Sequence, residues 1–436
     1  MDSIKVGLIG FGTIGTGVVR VLQKNAALLQ QRLGKSLQLA KIADLDIVTD
    51  RGVTVAPELL STDVDEVISN PDVDVVIELI GGYEPAKSFI LRAIANGKHV
   101  VTANKALMAV HGQEILAAAD AQGVEVLFEA AVAGGVPVIT AIKENLCAND
   151  FSRVLGILNG TCNYILTRMT EDGSDFASVL KEAQDLGYAE ADPTFDIEGV
   201  DTAHKIALLA ALCFGTRVDF NQIYTEGITN VAAIDIQFAT QMGYKIKLLA
   251  IGKNLGEQIE VRVHPTMIPQ SYQLSEVDGV FNAVRLSGDF LGPALFYGSG
   301  AGMDATASAV MGDVMAISRN ILSGAKRRTP IMGYRSEQIV DLPIRAMSDI
   351  VSHYYLRFTT IDATGVLAQI AGILGEYDIS IQSMIQPERH TADAVPIVIM
   401  THEARESNIN QALGKIDQLE IVREPTRLIR VENNLG

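Results

Sequence analysis

Ile4-Lys5-Val6-Gly7-Leu8-Ile9-Gly10-Phe11-Gly12-Thr13-Ile14-Gly15 is the stretch that decides the fold. Residues 4–10 form a short apolar run that reads as a buried strand, and a helical pattern follows from about residue 16 to residue 31. The G-x-G-x-x-G between them takes its meaning from that context. Gly10 allows the tight turn, Gly12 lets the backbone approach a pyrophosphate, and Gly15 lets the helix pack closely on the strand. The helix N-terminus then presents free N–H groups to the anion. A glycine-rich turn without a ligand is the plain alternative; a strand before it and a helix after it favour a dinucleotide.

Working outward, a second strand is expected at residues 37–43, ending at Asp44. An acidic residue there would hydrogen-bond the ribose 2′-OH of NAD. Asp44 and Asp46 lean towards NAD, whereas Arg51 offers a partner for the 2′-phosphate of NADP; a solvated strand end is the competing reading of Asp44. Further strands are expected at 74–80, closed by Gly81-Gly82, at 99–102 and at 124–128, with a helix at 85–96. Ligands in an open parallel sheet sit beyond the carboxyl ends of the strands, which places Lys105 beside nicotinamide and substrate rather than as an ordinary helix-start lysine. Glu129-Ala-Ala-Val-Ala-Gly-Gly-Val136-Pro137 is a small-residue turn with one carboxylate. Such a turn can aim backbone carbonyls at a hard monovalent cation, or serve tight packing alone.

From Pro137 the pattern changes. A helix at 138–145, a strand leading to Asn159-Gly160-Thr161, helices to about 169 and at 175–186, and strands at 245–252, 259–265 and 282–288 suggest a mixed or antiparallel sheet with helices on one face. Gly298–Gly302 is a second glycine-rich turn, able to close over a cofactor or simply to return the chain to the first domain. A polar, irregular segment follows residues 326–330. Strands at 354–360, 379–385, 394–401 and 420–429, with helices at 366–377 and 405–413, give the ferredoxin-like βαββαβ order.

Residues 187–205 carry five carboxylates, Glu190, Asp192, Asp196, Glu198 and Asp201, and then Lys205. They run into the apolar helix pattern of residues 206–212. Asp201 and Lys205 are spaced i, i+4, so both project from one helix face. A charged pair entering a buried helix points to chemistry. His204 points about 100° away from Lys205 on an ideal helix and reads as structural.

The 436 residues suggest two or three domains, and 48% apolar residues suffice for sizeable cores. A formal charge of −17 argues against nucleic acid and anionic membranes as partners. Cys147, Cys162 and Cys213 fit neither a metal spacing nor a disulfide framework, so a reducing, cytoplasmic setting is the default. The N-terminus enters a strand at once, with no signal peptide, and no apolar run is long enough to span a bilayer.

Taken together, Ile9–Gly15, Thr102-Ala103-Asn104-Lys105, Gly156–Thr161, Gly187-Tyr188-Ala189-Glu190-Ala191-Asp192-Pro193 and Asp201–Lys205 resemble homoserine dehydrogenase over about residues 4–325, and residues 354–430 resemble an ACT domain. The resemblance implies an α/β chain in three parts: a Rossmann-type domain over 1–136 completed by about 300–345, an α+β catalytic and dimerisation domain over 137–299, and a ferredoxin-like ACT regulatory domain over 350–431. It implies reversible NAD(P)H-dependent reduction of L-aspartate 4-semialdehyde to L-homoserine, on the route to threonine, methionine and isoleucine. Lys205 would be the proton donor and acceptor, Lys105 would sit by cofactor and substrate, and Asp201 would position Lys205. Glu190, with Asp196, would bind the substrate ammonium. Phe11, Thr13, Ile14 and Gly302 would touch the cofactor, NADP or NAD, and sodium would sit at Glu129 with the backbone of Val132, Gly134 and Val136. Threonine is the implied effector, and a dimer or tetramer the implied assembly. Cys162 stands where a threonine is common, and Ala305 where a proline is expected.

The chemistry is consistent with these roles. Reducing an aldehyde places negative charge on its oxygen, which a lysine ammonium can stabilise and protonate. A neighbouring carboxylate such as Asp201 is expected to raise the lysine pKa and keep it charged. Rival readings are another dinucleotide-dependent dehydrogenase of a charged amino-acid derivative, of the dihydrodipicolinate reductase or semialdehyde dehydrogenase kind, and a non-catalytic nucleotide or amino-acid sensor. The semialdehyde dehydrogenase reading needs a nucleophilic cysteine, and none of the three has a convincing basic partner. A module separable from about residue 350 is expected to lose threonine inhibition on deletion while the remainder stays active. Glu190→Gln is expected to raise the Michaelis constant for the semialdehyde; steady-state kinetics with an unchanged constant would remove Glu190 from ammonium binding.

Overall fold

The computed structural model describes residues 3–325, 327–386 and 394–433; Lys326, at the head of the irregular segment, lies outside them. The first sheet contains β1 (Ser3–Ile9), β2 (Ser36–Ala43), β3 (Leu60–Ser61), β4 (Val75–Glu78), β5 (His99–Thr102) and β6 (Val126–Leu127). All pairs are parallel, in the order β3-β2-β1-β4-β5-β6, the open arrangement of a dinucleotide-binding domain. Ile4, Val6 and Leu8 are fully buried, because helices cover both faces of a parallel sheet and leave its strands no solvated side. The first helix stops at Lys24 and a second runs from Ala26 to Leu33, so the expected single helix breaks at Asn25.

The helix Met303–Ser323 packs on the helix Thr13–Lys24, and its Ala307, Val310, Met311, Val314 and Ile317 share one core with Ile4, Val6, Leu8, Val18 and Val19. The second glycine-rich turn therefore does return the chain to the cofactor-side sheet. Beyond that helix the path leaves it: Val340 and Ile344 bridge to Thr216 and Ile259 of the second sheet region.

The second sheet contains β7 (Phe151–Ile157), β8 (Tyr224–Thr225), β9 (Tyr244–Asn254), β10 (Ile259–Pro269), β11 (Phe281–Gly288), β12 (Gly292–Ser299), β13 (Val351–Thr360), β14 (Ile381–Ile385), β15 (Val395–Thr401), β16 (Ala404–Arg405) and β17 (Val422–Val431). Its main path is β12-β11-β7-β9-β10-β17-β13-β15-β14, with β8 on β10 and β16 on β13. The last four strands on that path have the ferredoxin-like order, with helices Val366–Glu376 and Glu406–Ile416 on one face. Strand β12 has no sequence signal of burial: it is a glycine-bounded edge strand whose residues are half-buried or exposed. The helix Ala233–Gln241 was likewise not legible, and the helix expected at 138–145 continues from Val138–Thr140 into a wider π turn, Ala141–Asn145. Among the described residues no helix is long and apolar enough to cross a membrane.

The C-terminal unit is not a tethered appendage. Strands β10 and β17 pair at Thr266–Arg430 and Met267–Val431, so one sheet runs through both units. Tyr355, Val398, Met400, Ile429 and Val431 lie in the same apolar core as the helix Val200–Phe214. Ion pairs seal the seam. Asp235 receives Arg357 Nη2 at 3.1 Å and Tyr355 Oη at 2.8 Å, and Glu432 receives Lys253 Nζ at 2.8 Å and Arg262 Nη2. Arg262 is 1% exposed and Asp235 1% exposed, so neither has water to fall back on. Breaking a buried pair costs about 3–5 kcal/mol because the surviving charge stays buried. Deletion from residue 350 would do this at several places at once, which argues against a clean, active truncation. A chain ending at residue 349 is expected to be insoluble or to melt far below the full chain; a soluble fragment with the full-length melting temperature would contradict the fused seam.

Candidate active site

The glycine turn is built as a cradle. Gly10 has φ 97°, and a Cβ there would lie 2.8 Å from the Leu79 carbonyl oxygen; a Cβ on Gly15 would lie 2.2 Å from the Gly10 carbonyl oxygen. Those two glycines are demanded by the protein's own packing. Gly12 is different: a Cβ there would meet no protein atom within 4 Å. Gly12 caps the helix Thr13–Lys24 without any side-chain hydrogen bond, so open space lies before free N–H groups at a helix start. That fits a pyrophosphate.

Asp44, at the end of β2, accepts Phe11 N on Oδ2 and Asp46 N, at 2.8 Å, on Oδ1. It therefore ties the glycine turn to β2, a task the sequence did not reveal. Arg51 lies over the Phe11 ring, 4.8 Å from its centroid, and reaches Asp46 Oδ2 at 3.3 Å. Gly302, with φ 105°, starts the helix Met303–Ser323 that packs against this region.

At the carboxyl end of β4, Glu78 is fully buried. It accepts Thr102 Oγ1 at 2.7 Å and Ile80 N at 2.8 Å, and burial raises its pKa against these hydrogen bonds. Thr102 Oγ1 in turn accepts Asn104 N at 3.0 Å, and the Asn104 side chain caps Leu107 N at 3.1 Å and donates to Gly82 O at 2.6 Å. This network fixes the start of the helix Lys105–Gln122 and with it Lys105. The sequence signal for it is a glutamate inside the apolar run Val75-Val-Ile-Glu78-Leu-Ile80.

The helix Val200–Phe214 begins after Gly199, at φ 82°, and buries both Asp201 and Lys205. Asp201 stands between two cations. Its Oδ1 meets Lys105 Nζ at 2.9 Å and its Oδ2 meets Lys205 Nζ at 2.7 Å. Lys205 Nζ also donates to Leu158 O at 2.5 Å, and Asn282 Nδ2 donates to that same carbonyl at 2.9 Å. Burial opposes the Asp201 charge, but Lys205, Lys105 and the hydrogen bonds from Lys205 and Asn159 outweigh it and hold the carboxyl well below its usual range. Lys205 moves the other way from the sequence expectation. Burial is the largest effect and lowers its pKa; Asp201 resists, and Lys105 adds to the lowering. For Lys105 burial is outweighed by Asp201, with Asp196 and Glu190 assisting, and its pKa rises.

Asp196 is half-buried, with a pKa raised by burial and by Asp201. Glu190 is exposed on the loop, near enough to act on Lys105 electrostatically. Asp192 accepts Thr194 N at 3.1 Å within the loop, and Glu198 accepts Thr229 Oγ1 at 3.2 Å, which ties the loop to the segment after β8. His204 is clamped between Phe195 and Phe220, with ring centroids 5.5 and 4.2 Å away, and neither ring nitrogen has a partner. Burial pushes its pKa down to about 4, in keeping with a structural role. Cys162 Sγ donates to Asp196 O at 3.2 Å, the bond a threonine hydroxyl could make there.

The Glu129 carboxylate accepts Ile139 N at 2.8 Å, and Thr140 N at 2.7 Å. Beside it Ala133 (φ 54°) and Gly134 (φ 55°) are successive left-handed residues, and a Cβ on Gly134 would lie 2.4 Å from the Gly300 carbonyl oxygen. Among the described residues no group of three or more His, Cys, Asp or Glu is placed to hold a metal ion.

A parallel sheet with an open glycine cradle, next to a lysine–aspartate–lysine chain centred on the buried Asp201 and a carboxylate loop, defines a nicotinamide-dependent oxidoreductase. Family comparison makes it more particular. Residues 10–129 match the homoserine dehydrogenase NAD-binding domain, residues 137–315 the homoserine dehydrogenase model, and residues 354–421 the ACT domain. Homoserine dehydrogenase of Pseudomonas aeruginosa is 46% identical over 99% of both chains, and that of Bacillus subtilis 40% identical over 100% of this chain and 99% of its own. The crystal structure of a homoserine dehydrogenase from Thiobacillus denitrificans superposes with a TM-score of 0.93 at 46% identity, over 99% of each chain. The chain belongs to the homoserine dehydrogenase family.

Asp201→Asn removes the main influence that holds the Lys205 pKa up. In homoserine oxidation the rising limb of the pH–rate profile is therefore expected at lower pH, with turnover reduced about 10²-fold or more. An unmoved limb would separate Asp201 from the titrating group.

Proposed function

We propose that the chain interconverts L-aspartate 4-semialdehyde and L-homoserine, with Lys205 Nζ as the proton donor and acceptor. The observation that carries this is the Asp201 bridge, which holds the buried Lys205 at 2.7 Å and the half-buried Lys105 at 2.9 Å in one cluster. The nicotinamide, when bound, supplies or takes the hydride. Lys205 in its ammonium form stabilises the forming alkoxide and delivers the proton; in the reverse direction its neutral form takes the proton. A buried ammonium with a lowered pKa reaches that neutral form below the ordinary lysine range. Oxidation accordingly gains and reduction loses as pH rises through that value. Lys105 keeps its charge over a wider range and serves binding and charge stabilisation. Glu190 and Asp196 take the substrate α-ammonium, and Gly10, Phe11, Gly12, Thr13, Ile14, Gly15 and Gly302 hold the cofactor. Asp44 and Arg51 stand together where NAD and NADP differ, so either cofactor finds a partner.

Glu129 with the carbonyls of Val132, Gly134 and Val136 fits a monovalent cation such as sodium. A carboxylate has about four lone-pair sites, and Glu129 uses three. Sodium there would brace the link between 1–136 and 137–299.

Residues 350–431 serve as the regulatory unit, with threonine as effector. Support comes from a contact route to the active site: Arg430 Nη1 reaches Glu226 Oε2 at 2.6 Å, Gly227 lies flush on the Ile197 carbonyl, and Ile228 N donates to Ile197 O at 2.8 Å, next to Asp196. The exposed edge strands β12 and β14 offer pairing surfaces for a dimer or tetramer.

Cofactor reduction with L-homoserine tests the assignment. Lys205→Ala is expected to lose turnover by about 10²-fold or more while cofactor affinity stays within about twofold. Turnover near that of the unaltered chain would remove Lys205 from proton transfer.

A further inference from the structure

Asn159 follows strand β7 and caps the helix Gly160–Asp172, its Oδ1 accepting Cys162 N at 2.8 Å. That task needs only an acceptor, and serine, threonine or aspartate would meet it. The other half of the amide does something capping does not require. Asn159 Nδ2 donates to Asp196 Oδ1 at 2.7 Å and to Asp201 Oδ2 at 2.9 Å. Asn159 is 5% exposed and Asp201 3% exposed. The carboxylate beside Lys205 and a carboxylate of the substrate loop thus share one NH₂ group.

We propose that Asn159 is a positioning residue that couples binding of the substrate ammonium to the protonation state of Lys205. It rests on the proton-transfer reading of Lys205 given above. The physical reason is that the two carboxylates repel: Asp201 contributes to the raised pKa of Asp196, and hydrogen bonding from Asn159 lowers it again. A neutral two-hydrogen donor is the one kind of side chain that can bridge both oxygens without adding charge. It completes Asp201, whose Oδ1 takes Lys105 and whose Oδ2 takes Lys205 and Asn159. It also fixes Asp196 through Oδ1, leaving Oδ2 for a cation. When a substrate ammonium engages Asp196, the pull is transmitted through one rigid amide to Asp201, and from there to Lys205.

Asn159→Asp and Asn159→Ser separate this role from capping, because both variants keep the cap. Asn159→Asp adds negative charge within reach of Lys205, so the kinetic pKa for homoserine oxidation is expected to rise by about 1–3 units. Asn159→Ser keeps the cap without the fork; the Michaelis constant for homoserine is expected to rise and turnover to fall together, each about tenfold or more, a loss of about 1.4 kcal/mol per tenfold. Thermal melting of Asn159→Ser is expected near that of the unaltered chain, and that of Asn159→Asp lower, because it sets a third carboxylate against Asp196 and Asp201. If Asn159→Ser fails to fold, Asn159→Asp alone decides through its pH profile. Folded variants with the original pH profile and Michaelis constant would reduce Asn159 to a helix cap and overturn the proposal. Lys205→Ala is run alongside: retained turnover there would remove the reading beneath it, whereas an inactive Lys205→Ala with unaltered Asn159 variants would sink only the coupling.

Discussion

The structure turns on one carboxylate held by two lysines from different parts of the chain. Asp201 and Lys205 lie one turn apart on the helix Val200–Phe214, and Lys105 arrives from the start of a helix belonging to the cofactor-side sheet. Isolated, any of these buried charges would be expensive. Together they make two cations and one anion, with Asp196 tied to Asp201 through Asn159, so each charge is compensated by its neighbours. The Lys205 ammonium is what a forming alkoxide requires, and burial, with Lys105 adding to it against Asp201, presses the Lys205 pKa downward. The same ion pairs that hold the domains together at this point are those the chemistry uses.

Around that cluster the fold supplies rigidity in layers. Glu78, Thr102 and Asn104 set the start of the Lys105 helix from the ends of β4 and β5. Leu158 and Asn282 hold Lys205 from the second sheet. Asn159 joins the two carboxylates. Further out, β10 and β17 continue one sheet into the C-terminal unit, and buried ion pairs at Asp235 and Glu432 make that union a mechanical one. An effector bound in that unit acts on a body already continuous with the catalytic sheet, so a small shift at Arg430 has a short path to the loop carrying Asp196.

Much of this was legible in the sequence where physics acts locally. The glycine turn, the strands of the first sheet and the i, i+4 spacing of Asp201 and Lys205 depend on near neighbours, and β5 falls at residues 99–102 as read. What depends on distant partners was not legible. Nothing in the local pattern says that Lys105 meets Asp201, that Asp44 pins Phe11, or that Thr266 pairs with Arg430. The direction of the Lys205 shift was misjudged because a carboxylate four residues away is visible in sequence, whereas burial and a second lysine are not. Strand β12 escaped because an exposed edge strand rich in glycine has no buried alternation to announce it.

The most direct test is to titrate the Lys205 side chain by heteronuclear NMR in the full chain, with Lys105→Met as the comparison. Burial of Lys205, with the Lys105 charge adding to it, predicts a Lys205 pKa below the ordinary 10.5, and a rise when the Lys105 charge is removed. A Lys205 pKa at or above that value, unmoved by Lys105→Met, would contradict the account.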